Sequence, residues 1–319
     1  MVKLDIIIDE MDGALWAAAV DSKRRLFALE CDMVGEDIKW GSIFLGRIET
    51  IDRKLDACWV NLGEGGHMGL LPRKEWPDPD TPPQAGSFII VQAKTGVAGK
   101  SSIEEKQQDG DEHKLRLKIK LEPKVTRLSS DVTLPGRYII FAPQEEKNRL
   151  SRRIADRTVR RNMTHMLKDL EDVLHGCILR SSAKNVQTEL LVREGEILHT
   201  AWNNLHEAST NASGPCLLWD GPNAIERILS DMSACQIEYI SVALLDHLDD
   251  VEDWCETFAP DLMTKIRPVE LENATDDFAL FDHYDLIPQI EDVLQPYVIL
   301  PGGGNIILQQ TAALMAVDV

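Results

Sequence analysis

Residues 40–72 read WGSIFLGRIETIDRKLDACWVNLGEGGHMGLLP, and this stretch limits the fold more than any other. Short apolar runs (IFLGRIETI, ACWVNLG, HMGLLP) are separated by charged turns and glycines. Strands of that length and spacing fit a small β-barrel. Residues 77–83 (PDPDTPP) read as a loop, because proline donates no ladder hydrogen bond. Residues 86–93 (GSFIIVQA) resume the barrel. Residues 94–114 are polar and read as a mobile loop. LRLKIKL at 115–121 then alternates apolar and basic side chains, the pattern of a half-buried strand.

Before the barrel, KLDIII at 3–8 and LWAAAV at 15–20 flank a turn-rich stretch and predict a hairpin, with residues 25–31 supplying a third strand. After it, residues 133–143 predict a turn and a buried strand. A basic helix is expected over roughly 148–173, a strand at 176–181 and a helix over 186–208. CLLWDGP from Cys216, a helix, IEYISV as a strand and a helix or loop to about 258 follow. DLMTKIRPVEL from 261 reads as strand-like. Residues 284–295 read as an amphipathic helix, with Pro288 in its first turns, where proline is tolerated.

The chain has 34 basic and 53 acidic residues, a net charge of −19, which taken alone argues against nucleic acid. The distribution argues otherwise. Residues 147–168 hold eight basic side chains and one acid, net +7, whereas residues 220–295 are net −16. Local patches decide phosphate binding, so SRRIADRTVRR at 151–161, with Arg152 and Arg153, is expected to contact nucleic-acid phosphates. Asp246, Asp249, Asp250, Glu252 and Asp253 are expected to form a solvated acidic helix rather than a metal cluster. Six scattered cysteines form no CxxC pair and no zinc spacing, so free thiols in a reducing compartment are expected. No apolar run approaches the roughly 18 residues of a membrane span, and no signal-peptide pattern opens the chain. A cytoplasmic protein with roughly two or three domains is expected.

The last residues, YVILPGGGNIILQQTAALMAVDV, place two apolar strands around three glycines, and Asp318 closes the second run. That layout predicts a carboxylate at the end of a buried strand, a position suited to a metal ligand or catalytic acid.

Several of these segments together are similar to the ribonuclease E/G family. GSIFLGRIETIDRKLDACWVNLGEGGHMGLLP resembles its RNA-binding OB-fold barrel. SSDVTLPGRYIIFAP, LSRRIAD, GCILRSS, and FDHYDLIPQIEDVL followed by the terminal strands resemble further family elements in the family's order. The resemblance implies a mixed α/β fold. An RNase H-like subdomain would use residues 1–39 with 215–280. The OB barrel would span 40–125 and a 5′-phosphate-sensing region 126–214. Residues 281–319 would begin a DNase I-like subdomain.

The resemblance also implies roles. Trp59 stands where the family stacks one base and Leu70 where it stacks a second. Arg180 and Ser181 match the Arg and Thr of a pocket that senses a 5′-monophosphate, with Gly136 and Ile140 as its wall. Arginine grips phosphate in a bidentate fashion, and a serine hydroxyl can donate to it. Asp318 matches the first of two aspartates that hold one magnesium ion. The asparagine and the second aspartate of that centre would lie beyond Val319, and the strand before carries Gln309 and Ala312 where the family has acids. Glu291 or Asp292 would be substitute acids. The family's zinc link between subunits is absent from these residues, although a homo-oligomer stays compatible with them.

Two function classes follow. One is a magnesium-dependent endoribonuclease acting on single-stranded RNA. The other is a non-catalytic RNA-binding homologue, or a truncated piece, lacking the second aspartate. A third reading, an acidic interaction module, requires the basic helix to be buried against the acidic third.

Overall fold

The run of isoleucines at 6–8 is explained by burial on both faces of one strand. A computed structural model describes residues 2–11, 13–32, 38–78, 80–94, 125–171, 173–243, 245–271, 278–310 and 315–319. In it, β1 (Lys3–Met11), β2 (Ala14–Asp21) and β3 (Leu26–Asp32) form an antiparallel meander. Side chains alternate across a strand, so Ile6 and Ile8 enter one core cluster while Ile7 enters another. A strand covered on both faces reads as a continuous apolar run, not as an alternation.

The barrel follows as β4 (Ile43–Asp52), β5 (Ala57–Asn61), β6 (Met68–Pro72), β7 (Phe88–Ala93) and β8 (Thr126–Ser129). The order β4-β5-β6-β8-β7 closes through a second pairing of β4 with β7, giving a five-stranded ring consistent with an OB-fold. Phe44, Ile48, Cys58, Val60, Leu71, Val91 and Leu128 fill it. Because β4 is shared by β5 and β7, its inner face is crowded: a Cβ on Gly46 would lie 2.3 Å from Val60 Cγ1. Residues 94 and 125–129 are described, but the loop and strand expected at 95–121 lie outside the described residues.

A second small sheet comes next: β9 (Leu134–Pro135), β10 (Ile139–Phe141), β11 (Arg149–Leu150), α1 (Arg157–Leu170), β12 (Cys177–Leu179) and α2 (Thr188–Asn211), with strand order β11-β12-β10-β9. The two helices cover it through Met163, Leu167, Leu191 and Leu198. The helix expected from 148 starts at Arg157. Arg149 and Leu150 pair parallel with β12, and the Asp156 carboxylate caps the helix by accepting from the Thr158 and Val159 amides.

β13 (Cys216–Trp219) hydrogen-bonds to β4 outside the closed ring. The chain then returns through α3 (Ala224–Asp231), β14 (Gln236–Val242), α4 (Leu245–Phe258) and β15 (Ile266–Pro268). β14 lies parallel to β1 and β15 parallel to β14, so the first sheet has the order β15-β14-β1-β2-β3. Helices α3 and α4 pack one face. α5 (Ala279–His283) and α6 (Ile287–Leu294) pack the other, where the buried Asp9 carboxylate accepts from the Leu280 and Phe281 amides at 2.9 Å each. DLMTKIRPVEL is only partly a strand, because Pro260–Lys265 wind into a 3₁₀ helix before β15. No described helix is long and apolar enough to cross a membrane.

The chain closes with β16 (Tyr297–Ile299), β17 (Asn305–Gln310) and β18 (Met315–Asp318), an antiparallel three-stranded sheet. The buried strand expected here is corrected. Val298, Ile299, Leu308 and Val317 are exposed, and so is Asp318, because no described element covers this sheet.

Gly46→Ala tests the crowding of the barrel. Overpacking costs about 1–3 kcal/mol. Urea unfolding of Gly46→Ala should show its midpoint lowered by a corresponding amount with little change in slope.

Candidate functional site

Two surfaces gather the residues that the sequence singled out. The first is the outer face of the barrel. Cys58 and Val60 point into its core, so Trp59 between them points out. Trp59 is half-buried beside Asp52, whose carboxyl is held below its usual range chiefly by the Leu55 and Lys54 amides that donate to it. Cross-strand pairing aligns exposed Thr50, Trp59, Leu70 and exposed Arg127 in one row. A second row aligns Phe88, Arg47, Asn61 and Met68. Phe88 is 50% exposed, an unusual cost for a phenylalanine unless something covers it. Arg47 and Asn61 both donate to Glu49. Sequence reading found Trp59 and Leu70 but missed Phe88, Arg47 and Arg127. The aligned alternation of the strands carries the signal, and it can be read only once the register is known.

The second surface is a cleft of about 880 Å³ between the barrel, the second sheet and α3. Ile140, Arg153, Arg180 and Ser181 line it, together with Lys39, Lys94 and Trp40. Ile140 lies directly across from Ile178 on β12, and Arg180 follows that strand immediately. Gly136 stands one turn away, and its carbonyl accepts from Arg180 Nη1 at 3.3 Å. The same Nη1 donates to Ser230 Oγ at 2.5 Å, and Nη2 pairs with the Asp231 carboxylate. Arg180 is therefore already oriented into the cleft by α3, and an incoming anion would compete with Asp231 for it. Ser181 is exposed at the start of a 3₁₀ turn, next to Ser182, whose hydroxyl donates to the Arg137 carbonyl. Arg152 is exposed and does not line the cleft.

Behind the cleft sits a group that the sequence reading missed. Glu194 of α2 is 4% exposed, and its Oε1 accepts from the Tyr138 and Ile139 amides at 2.8 and 2.9 Å. A Cβ on Gly136 would lie 2.3 Å from that oxygen, so the turn of LPGRY requires glycine for close approach, not for backbone freedom. Burial pushes the Glu194 carboxyl up to about 7, against the two amide donors and the nearby Arg137 and Arg180. The available signal was an acid set among Leu191, Gly195 and Leu198 on the buried stripe of α2.

Asp318 lies apart from both surfaces in the chain's last sheet. It offers one exposed carboxylate, and among the described residues no three His, Cys, Asp or Glu side chains gather as a metal site. Magnesium commonly needs one or two carboxylates plus substrate oxygens and water. The described residues do not by themselves build that site, and no catalytic step is derived through it. Gln309 is exposed and Ala312 lies outside the described residues. Glu291 and Asp292 are exposed on α6, whose opposite side packs against the first sheet, and they join no cluster. Asp249, Asp250, Glu252 and Asp253 are exposed on α4, as expected of a solvated acidic face. All six cysteines are free.

The Glu194 carboxyl yields a pH prediction. Its folded value is raised, so its contribution to stability is full below the unfolded value near 4.5 and is lost as pH rises through about 7. The loss is on the order of 3 kcal/mol. Glu194→Gln keeps an acceptor without the titration. The difference in unfolding free energy between the two proteins, followed by urea titration from pH 4.5 to 8, should shift toward the variant by about that amount.

A sequence model of the Ribonuclease E/G family matches residues 133–319. Ribonuclease E of Nostoc sp. is 25% identical over 282 residues, covering 88% of this chain and 38% of that protein. Ribonuclease E of Escherichia coli is 28% identical over 313 residues, covering 96% of this chain and 27% of that protein. Ribonuclease G of Escherichia coli is 25% identical over 282 residues, covering 88% of this chain and 55% of that protein. The chain thus spans between 27% and 55% of the length of these relatives. With more than half of its residues inside the matched region, this chain belongs to the Ribonuclease E/G family.

Proposed function

We propose that this chain acts as an endoribonuclease of the E/G type on single-stranded RNA. The observation that carries the reading is the barrel's outer face, where Trp59 and Phe88 alternate with Arg127 and Arg47 in a member of this family. Bases stack on aromatic rings without regard to sequence while guanidinium groups meet the backbone, the usual division of labour on an OB barrel. Leu70 supplies apolar area beside Trp59 but no π-face.

The cleft is read as the seat of a 5′-monophosphate. Arg180 would grip the phosphate, the Ser181 hydroxyl would donate to it, and Ile140 with the Gly136 turn would form the wall. Lys94 and Arg153 add positive charge at the same cleft. The five-stranded sheet built from residues 3–32 with 236–268 supports an RNase H-like subdomain split around the barrel. Residues 297–318 are read as strands of a DNase I-like subdomain. Within the reading, Asp318 would supply one carboxylate toward a magnesium ion, and the chemistry such an ion supplies when held is activation of a bound water.

The test uses the whole chain and a short fluorescent single-stranded RNA with either a 5′-monophosphate or a 5′-hydroxyl. Magnesium-dependent cleavage, lost in Asp318→Asn, is expected. Trp59→Ala should weaken binding by about 5- to 150-fold, since a stacked base contributes about 1–3 kcal/mol. Arg180→Ala should erase the preference for the monophosphate. Binding without cleavage overturns the enzyme reading for this chain, and equal wild-type affinities for the two RNAs overturn the cleft reading.

A further inference from the structure

The helix α1 buries one stripe and charges the other. Met163, Leu167 and Leu170 are buried, with Val159 and Met166 packed beside them. Arg157, Arg160, Arg161, Thr164, His165 and Lys168 recur at three- and four-residue steps and are all exposed. The stripe spans roughly 16 Å of helix axis. It ends before Glu171.

Two observations make this more than a solvated face. First, none of Arg152, Arg153, Arg157, Arg161 or Lys168 has an ion-pair partner among the described residues, in a chain of net charge −19. Other arginines here are consumed: Arg137 by Asp261, Arg180 by Asp231, and Arg227 by Glu30 and Asp32. In a chain with 53 acidic residues, these cations are left without an ion pair among the described residues. Second, the stripe is continuous with the cleft. Arg160 Nη1 donates to the Ser151 carbonyl at 3.3 Å, and Ser151 and Arg153 both line the cleft.

We propose that α1 is a second RNA-binding track, separate from the barrel, that takes the sugar-phosphate backbone of RNA extending beyond the cleft mouth. Arg157, Arg160 and Arg161 are its main contacts, and Lys168 is its far end. A helix with cations on one side and no exposed Phe, Tyr or Trp meets phosphates and reads no sequence. The inference rests on the reading of this chain as RNA-acting but on neither Trp59 nor Arg180.

The test is a salt titration of binding by the whole chain, using an unstructured RNA of thirty nucleotides and one of four. The variants are Arg157→Gln/Arg160→Gln/Arg161→Gln and the same three positions changed to lysine. These side chains are exposed, so both variants should fold, which circular dichroism checks. For the long RNA, the glutamine variant should lose about 2 from the slope of log affinity against log salt, because each single-strand phosphate contact contributes about 0.7. The lysine variant should keep the wild-type slope, and the four-nucleotide RNA should bind all three proteins alike.

An unchanged slope in the glutamine variant overturns the track, while normal wild-type binding would leave the barrel reading standing. No RNA binding by the wild type overturns both. Equal losses in the lysine and glutamine variants overturn a backbone-charge role. Salt-sensitive self-association of the wild type that the glutamine variant abolishes, measured by light scattering, would instead assign the stripe to a second copy of this chain.

Discussion

A missing side chain at Gly136 lets three parts of the protein meet at one point. The Glu194 carboxylate comes up from α2 to take the amides of the next turn, at a distance that any Cβ would forbid. The Gly136 carbonyl accepts from Arg180 after β12 and from Ser230 on α3. The second sheet, its covering helix and the returning C-terminal third are thereby registered against one another. Arg180 and Ser230, both bonded to the Gly136 carbonyl, line the cleft. Glu194 is held there at a cost, since burial favours its neutral form, and two amide donors and two nearby arginines partly offset it.

The same junction sorts the arginines. Guanidinium groups at contacts between distant elements are met by carboxylates: Arg227 bridges α3 to Glu30 and Asp32 of β3, and Arg137 meets Asp261. Those pairs fix geometry. The arginines of α1 meet no described acid, whereas on the barrel face Arg47 lies across from Phe88 while paired with Glu49, and Arg127 lies across from Leu70. Net charge hides this division, because residues 220–295 carry most of the acidic excess while residues 147–168 are net basic. The exposure of α1 also removes the reading in which the basic helix is buried against the acidic third.

Local pattern was enough for the barrel strands β4 to β7, the first hairpin and the long helix α2, because each has a period or a turn signal inside a short window, while the strand expected at 115–121 lies outside the described residues. Three features escaped it. Arg149 and Leu150 look helical in a basic run but are drawn into β11 by pairing with β12. Residues 260–265 look like strand yet wind into a turn under Pro260. The final strands look buried by composition, but burial depends on what covers them, and no described element does.

The sequence by itself determined the small barrel, the family, the position of Trp59 and the concentration of basic charge at 147–168, since these are carried by residue types at short spacing. Tertiary structure alone decided that Phe88, Arg47 and Arg127 share a face with Trp59, because strand register joins residues dozens of positions apart. It alone decided that Asp231 and Ser230 hold Arg180, that Glu194 sits behind Gly136, and that Asp318 is exposed. Each of these depends on elements distant in the chain coming within hydrogen-bonding or packing distance, and no local window records that.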